Sequence, residues 1–421
     1  MNSPLRIGMI LDTAGRKFPP DIRVEKEAKA LDQAGHQVSI LTSCDDAGAP
    51  ERSVLEGTRS VTVLRKRVKA KRGRLAQLFC AMAMRFPWWD SVLRDFIRSE
   101  KPQVLHVHDL LMVPTVLAVA KEFGLPVVAD LHENLPAAHQ AYRRQYSTLL
   151  RWYQSLKWNY ALMKFHEARA LRQCARILIV VPEARERLVQ YGIAEERIEV
   201  VSNTEDRTTF TFDPASADVA ITDQYRDYWV ASYIGGIGPH RGLDTVLDAL
   251  PEILGKIANF RLLIVGASDR VRQAIEAHAR RLQVSGAVEI IGWQPFSVVN
   301  SYVMASNVCL VPHRNFEHTQ TTVPHKLFQY MICAKPVLVS SCRPLARIVE
   351  GSGAGRIFEA DNAHSLAQEM IWMHENPAAC ESMGRSGQEA ALGTFSWHHD
   401  ANRLRAMYAS FDTETRQFYP N

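Results

Sequence analysis

The chain has 421 residues, 47% of them hydrophobic and 23% charged, with a net charge of +5. That length exceeds one ordinary core and points to two domains, and the balance excludes extensive disorder. No apolar run reaches the roughly 20 residues needed to span a bilayer, and the N-terminus MNSPLRIGMILDT has no signal-peptide cleavage pattern. The seven cysteines form neither a CxxC pair nor a Cys/His set at zinc spacing, so a cytoplasmic protein without disulfides or structural zinc is expected.

In chain order, the strand candidates of the first half are LRIGMIL, QVSILT, QVLHVH, PVVADL and RILIVV. Each is followed by a turn and helical periodicity, and each is apolar on both faces, as in a covered parallel sheet. The loop after the first, DTAGRKFPPDIRVEKEA, has Gly15 for a tight turn, Pro19–Pro20 to stiffen the helix entry and Asp21 as its N-cap. The helix start and Arg23 are placed to hold an anionic group, or else form a plain connection. LRKRVKAKRGR carries seven basic residues: Arg65, Lys66, Arg67, Lys69, Lys71, Arg72 and Arg74. Residues 72–99 and 138–174 mix basic with aromatic and leucine positions, which suits helices at an anionic membrane surface or plain helices covering the sheet.

VLHVHD offers His106 and His108, of which one is expected to face the sheet interior. VVADLHENLP puts Asp130, His132 and Glu133 at the end of a buried strand, where titratable groups are costly unless they face a cleft. The bland alternative is that His132 caps the next helix.

Residues 203–226 are polar and aperiodic and read as a linker. The strand pattern then restarts with WVASYIG, FRLLIVG, VEIIG, NVCLVP and KPVLVS. Two doubly wound Rossmann-like domains facing a central cleft are expected, with ligands beyond the carboxyl ends of the strands. In YIGGIGPHRGLDTVLDAL, Gly235, Gly236 and Gly238 let backbone approach a phosphate, and Arg241 stands just before the helix. Gly266 of LIVGASD and Trp293 of IIGWQP border the same edge. In HTQTTVPHKLFQYM, Thr321 and Thr322 can donate to phosphate or sugar oxygens, Lys326 adds a cation, and Gln329 can bond ribose hydroxyls.

In their order and spacing, FPPDIRVEKEAKALDQAGHQVSILT, VLHVHDLL, VVADLHENLP, YIGGIGPHRGLDTVLDAL, PHKLFQYMICAKPVLVS and FSWHHDANRLRAMY resemble the retaining GT-B glycosyltransferases of group 1, or family 4. The resemblance implies an acceptor domain at 1–203, a linker at 204–226 and a nucleotide-sugar donor domain at 227–395. It further implies that a final helix, 396–421, returns to the first domain. It implies that His132, with Asp130, serves the transferring sugar and that Arg241 pairs with the donor diphosphate. Gly15 and Arg23 would lie on the acceptor or phosphate loop, and no metal or cofactor is needed. Two departures stand out. A second basic residue that relatives often carry after the first glycine is here Gly236. Two glutamates separated by seven residues in many relatives are here Thr321 and Gln329, although Pro324, Lys326, Leu327, Phe328, Tyr330 and Met331 match a subgroup written P-x-K-L-F-E-Y-M.

The activity implied is retaining, metal-independent transfer of a sugar to a glycan or lipid-linked acceptor, in polysaccharide or glycolipid synthesis. The protein would be cytoplasmic and peripheral on the membrane, with no nucleic-acid partner. The alternatives are a catalytically silent GT-B subunit that binds a glycan or a partner transferase, and a GT-B nucleotide-sugar epimerase.

Overall fold

The computed structural model describes residues 4–68, 73–143, 146–207, 210 and 217–418. The chain divides into two compact units, residues 1–202 with 398–421, and residues 203–397.

The first unit is built on an eight-stranded sheet in the order β3-β4-β2-β1-β5-β6-β7-β8. Its strands are β1 (Arg6–Leu11), β2 (Gln37–Ser43), β3 (Arg52–Val54), β4 (Thr62–Lys66), β5 (Val104–His108), β6 (Val127–Leu131), β7 (Arg176–Ile179) and β8 (Ile198–Val200). All neighbours run parallel except β3 and β4. β5 and β6 are buried at every residue, the mark of a parallel sheet covered on both faces.

The second unit has a six-stranded parallel sheet in the order β11-β10-β9-β12-β13-β14. These are β9 (Trp229–Ile234), β10 (Phe260–Val265), β11 (Val288–Ile291), β12 (Val308–Val311), β13 (Val337–Ser340) and β14 (Gly355–Phe358). Leu262, Leu263 and Ile264 are fully buried, and burial of each such side chain contributes about 1.5–3 kcal/mol.

Strand order reverses between β1 and β5 in the first unit and between β9 and β12 in the second. Such switch points open a crevice at the carboxyl ends of the strands, where ligands of doubly wound sheets bind. Every expected strand is present. β4 was hidden within the basic run, and the structure removes Arg65 from that run. Arg65 is buried, with Nε donating to the Phe18 carbonyl at 2.8 Å and Nη1 to Ser53 at 2.8 Å. Lys66 is paired with Glu51. Lys69, Lys71 and Arg72 lie outside the described residues.

Candidate functional site

The carboxyl end of β5 and β6 gathers a buried polar cluster in the first unit. His106 and His108 are two residues apart, so they share a face, as do Asp130 and His132. The register opposes His108 to Asp130. The expectation that one of His106 and His108 turns away is therefore wrong: both are fully buried, with rings stacked at 4.6 Å.

Asp130 is the centre of the cluster. It accepts from Arg23 Nε at 2.9 Å and Nη2 at 2.6 Å, from His108 Nδ1 at 3.0 Å and from His132 Nε2 at 2.9 Å. Arg23 stands at the start of the helix Ile22–Gln33, whose N-cap Asp21 accepts from the amides of Arg23 and Val24. Its guanidinium also reaches the Val201 carbonyl at 2.9 Å and Glu27 at 3.1 Å. Buried in this way, Arg23 orients Asp130 and is not presented to an outside anion.

Behind them, His106 joins Tyr408 of the terminal helix at 2.8 Å and Glu27 at 3.3 Å. Burial, then the charge of Asp130, raises Glu27 above the ordinary carboxylate range against the pull of Arg23. Glu27, His106, His108 and Asp130 offer ligand atoms within 4.8 Å of one another. Arg23 already holds the two carboxylates and Tyr408 one imidazole, so the set fits an ion-pair network better than a metal.

His132 is the member that meets solvent, with its side chain 20% exposed. Burial works against its charged form, but Asp109 and then Asp130 hold its pKa up at about 10. Its Nδ1 lies 3.4 Å from Asp109, a residue held at φ +65°, where strain in a non-glycine residue tends to mark functional sites. His132 does not cap the next helix, because the Asn134 side chain does. Gly15 sits apart, after β1, at φ +82°, where a Cβ would come 2.6 Å from Asp45.

In the second unit the glycine loop follows β9. Gly235 has φ +119° and Gly266, after β10, has φ +103°, where a Cβ would come 2.9 Å from the Gly235 carbonyl oxygen. Gly242, the N-cap of the helix Leu243–Leu254, sits at φ +68°, where a Cβ would collide with the Pro312 carbonyl at 1.8 Å. Backbone thus passes too closely for a side chain at Gly242 and Gly266, and the helix start has no side-chain cap, an arrangement suited to an anion.

Two cations flank this loop. Arg241 donates Nη1 to His313 Nε2 at 2.7 Å. Burial, then the Arg241 charge, hold His313 well below its ordinary pKa, so its neutral ring accepts. Lys326, on the helix His325–Ile332, places Nζ 3.4 Å above the Tyr233 ring and 3.2 Å from where a Gly235 Cβ would be. Among the described residues that nitrogen is buried without a hydrogen-bond partner. Burial, then Arg241, push its pKa well below the usual lysine value. Among the described residues no carboxylate pairs with Arg241 or Lys326.

Gly236, Arg241, Gly266 and Lys326 are thereby brought together. Thr321 is not offered to a ligand, since its hydroxyl donates back to the carbonyls of Glu317 and His318. Thr322 is buried, and Trp293 is 79% exposed after β11. Gln329 shares a helix face with Lys326 and donates Nε2 to Glu205 Oε1 at 2.9 Å. The sequence alone does not reveal Glu205, His313 and Tyr408, which act across long sequence separations, whereas Glu27 stands one helical turn after Arg23, and that i,i+4 spacing could have marked it.

Two family descriptions match the sequence: "Glycosyltransferase Family 4" over residues 22–207 and "Glycosyl transferases group 1" over residues 230–376. The phosphatidyl-myo-inositol mannosyltransferase of Mycolicibacterium smegmatis is 22% identical over 352 residues, covering 83% of this chain and 79% of that protein. Two further curated relatives match over only about half their length, 48% and 49%, whereas glycogen synthase of Mycobacterium tuberculosis, 21% identical, matches over 95% of its length and 96% of this chain. Among solved structures, sucrose-phosphate synthase of Thermosynechococcus elongatus superposes with a TM-score of 0.77 at 16% identity, over 97% of this chain and 99% of that one. Anabaena HepE in complex with UDP-glucose gives 0.70 at 14% identity, over 96% and 100%.

Proposed function

Because the chain belongs to the GT-B glycosyltransferases of the group 1 and family 4 type, we propose that it moves a sugar from a nucleotide-sugar donor to an acceptor hydroxyl. The observation that carries the reading is Lys326, whose buried Nζ has no hydrogen-bond partner among the described residues and stands beside a loop in which Gly235 and Gly242 hold positive φ. With Arg241 it forms a site short of negative charge, which a diphosphate would supply. A solved neighbour holding UDP-glucose supports the same ligand class.

In this reading the glycosidic bond to the diphosphate breaks as charge grows on the leaving group. Arg241, Lys326 and the loop amides stabilise that charge in place of a divalent ion. The acceptor hydroxyl attacks from the face the diphosphate leaves and gives its proton to an oxygen of that diphosphate, so configuration is retained. His132, kept as an imidazolium, would turn its Nδ1–H from Asp109 to an oxygen of the reacting sugar, while Asp130 keeps its Nε2 in place.

The acceptor is taken to be lipid-linked. No helix among the described residues is long and apolar enough to cross a membrane, but the helix Thr148–Lys157 buries none of its residues. Leu149 and Trp152 are 81% and 66% exposed, and Leu75 and Phe79 of the adjacent helix Arg74–Met82 are 74% and 66% exposed. The mannosyltransferase relative is named for a phosphoinositide. Peripheral contact with an anionic bilayer would therefore rest on these side chains rather than on Arg65 and Lys66.

A thermal-shift panel of UDP-, GDP-, ADP- and TDP-sugars tests the proposal, followed by product analysis with the stabilising donor. One donor should raise the melting temperature and be consumed with retention in the presence of EDTA. Binding without turnover would favour the silent subunit, and absence of binding to all four would remove the proposal.

A further inference from the structure

Glu205 is 2% exposed and lies far in sequence from the helix it touches. Its Oε1 accepts from Gln329 Nε2 at 2.9 Å and lies 3.2 Å from His325 Nδ1. Those two residues are four apart on one helix, so a single carboxylate can address both. Its backbone is tied down as well. Glu205 bridges to Ser396, its carbonyl accepts from the Trp397 amide at 3.3 Å, and nearby Asn203 donates to the Val323 carbonyl at 2.9 Å. A carboxylate at this point is therefore placed by the fold.

A carboxylate accepts only, whereas an amide has a donating and an accepting end. The contact with Glu205 takes the donating end of Gln329 and settles which way the amide faces. The amide oxygen has no hydrogen-bond partner among the described residues, and it stands on the helix face that carries Lys326.

We infer that Glu205 is a positioning residue of the donor site, turning the Gln329 amide so that its oxygen is a fixed acceptor for the vicinal hydroxyls of a nucleotide's ribose. The inference rests on the nucleotide-sugar reading above. It explains how a glutamine can stand where a carboxylate would otherwise accept: the negative charge sits one residue further back and fixes the amide as an acceptor. It also means that glutamate at position 329 would face Glu205 directly, carboxylate against carboxylate, which a buried site does not tolerate.

The test is calorimetric titration of the full chain with the nucleoside diphosphate that binds it and with its 2′,3′-dideoxy counterpart. The parent should prefer the ribose form by about fivefold to tenfold, the worth of one or two neutral hydrogen bonds. Glu205→Gln lets the amide pair flip, so that preference should shrink to within about twofold while the dideoxy ligand binds unchanged. Gln329→Glu should weaken the ribose ligand at least about tenfold, and the exchanged pair Glu205→Gln/Gln329→Glu should restore both affinity and preference. Equal affinity of the parent for the two ligands, or an exchanged pair no better than Gln329→Glu alone, would overturn the inference and leave the transferase reading standing. A parent that binds no nucleoside diphosphate would take both down.

Discussion

The two units each bury a cluster of charged side chains at the switch point of a parallel sheet, and they do so with opposite accounting of charge. Around Asp130, each cation faces an anion: Arg23 meets Asp130 and Glu27, and His132 lies between Asp130 and Asp109. Around Gly235, among the described residues, Arg241 has only a neutral imidazole and Lys326 only an aromatic face. Burial of an unpaired ammonium is costly, which is why the pKa of Lys326 falls, and an incoming anion would favour its charged form again. A closed network holds a side chain in place, while an open one stores affinity for the missing anion.

The comparison breaks most visibly at Asp130. Asp130→Asn leaves Arg23 and His132 buried with half their counter-charge gone, and should lower unfolding free energy by about 3–5 kcal/mol. Urea denaturation measures this directly. Arg241→Gln in the same assay should change stability by less than about 1 kcal/mol. If the two lose equal stability, the distinction between a closed and an open cluster fails.

Arg241→Gln should act on binding instead. Loss of one charge-assisted phosphate contact should weaken nucleoside diphosphate affinity by about 1.5–3 kcal/mol in calorimetry. Unchanged affinity would place the anion elsewhere.

A further effect concerns pH. His132 has its folded pKa raised from 6.5 to about 10. Its contribution to stability is therefore complete below pH 6.5 and is lost as pH rises through about 10. Chemical denaturation from pH 6 to pH 10 should show a decline that His132→Gln reduces. An identical slope in parent and variant would mean that His132 is not held as an imidazolium.

The smallest expected effect lies outside both clusters. Each exposed apolar side chain that enters an interface adds at most about 1.5–3 kcal/mol. Trp152→Ala with Leu149→Ala should reduce sedimentation with anionic vesicles and leave donor binding alone. Parent and variant sedimenting equally would free this helix from any membrane role.

Much of this was legible in the sequence because parallel strands buried on both faces are written as plain apolar runs. β4 was not, because Arg65 and Lys66 close it with charge, although Arg65 folds inward onto the Phe18 carbonyl. β3 and β8 are three residues long, too short for a period to register, and β14, GRIF, opens on a glycine and an arginine and buries only its last residue. In the sites, Arg241, Gly236 and Lys326 announced themselves as glycine and basic residues near helix starts. His106 and His108 were misjudged by a slip of parity. Glu205 carries no local mark at all: it gains meaning only when the chain returns 124 residues later as Gln329.

The central claim is that Lys326 is left open for a donor diphosphate, and Lys326→Met tests it most directly. Methionine keeps the length of the stem and removes the buried, partnerless nitrogen. Urea denaturation and calorimetric titration with UDP, GDP, ADP and TDP should therefore move in opposite directions. The variant should be at least as stable as the parent and should bind the preferred diphosphate at least about tenfold more weakly. A variant that loses stability yet binds as tightly as the parent would contradict the account, because Lys326 would then be a structural residue with no part in holding the donor.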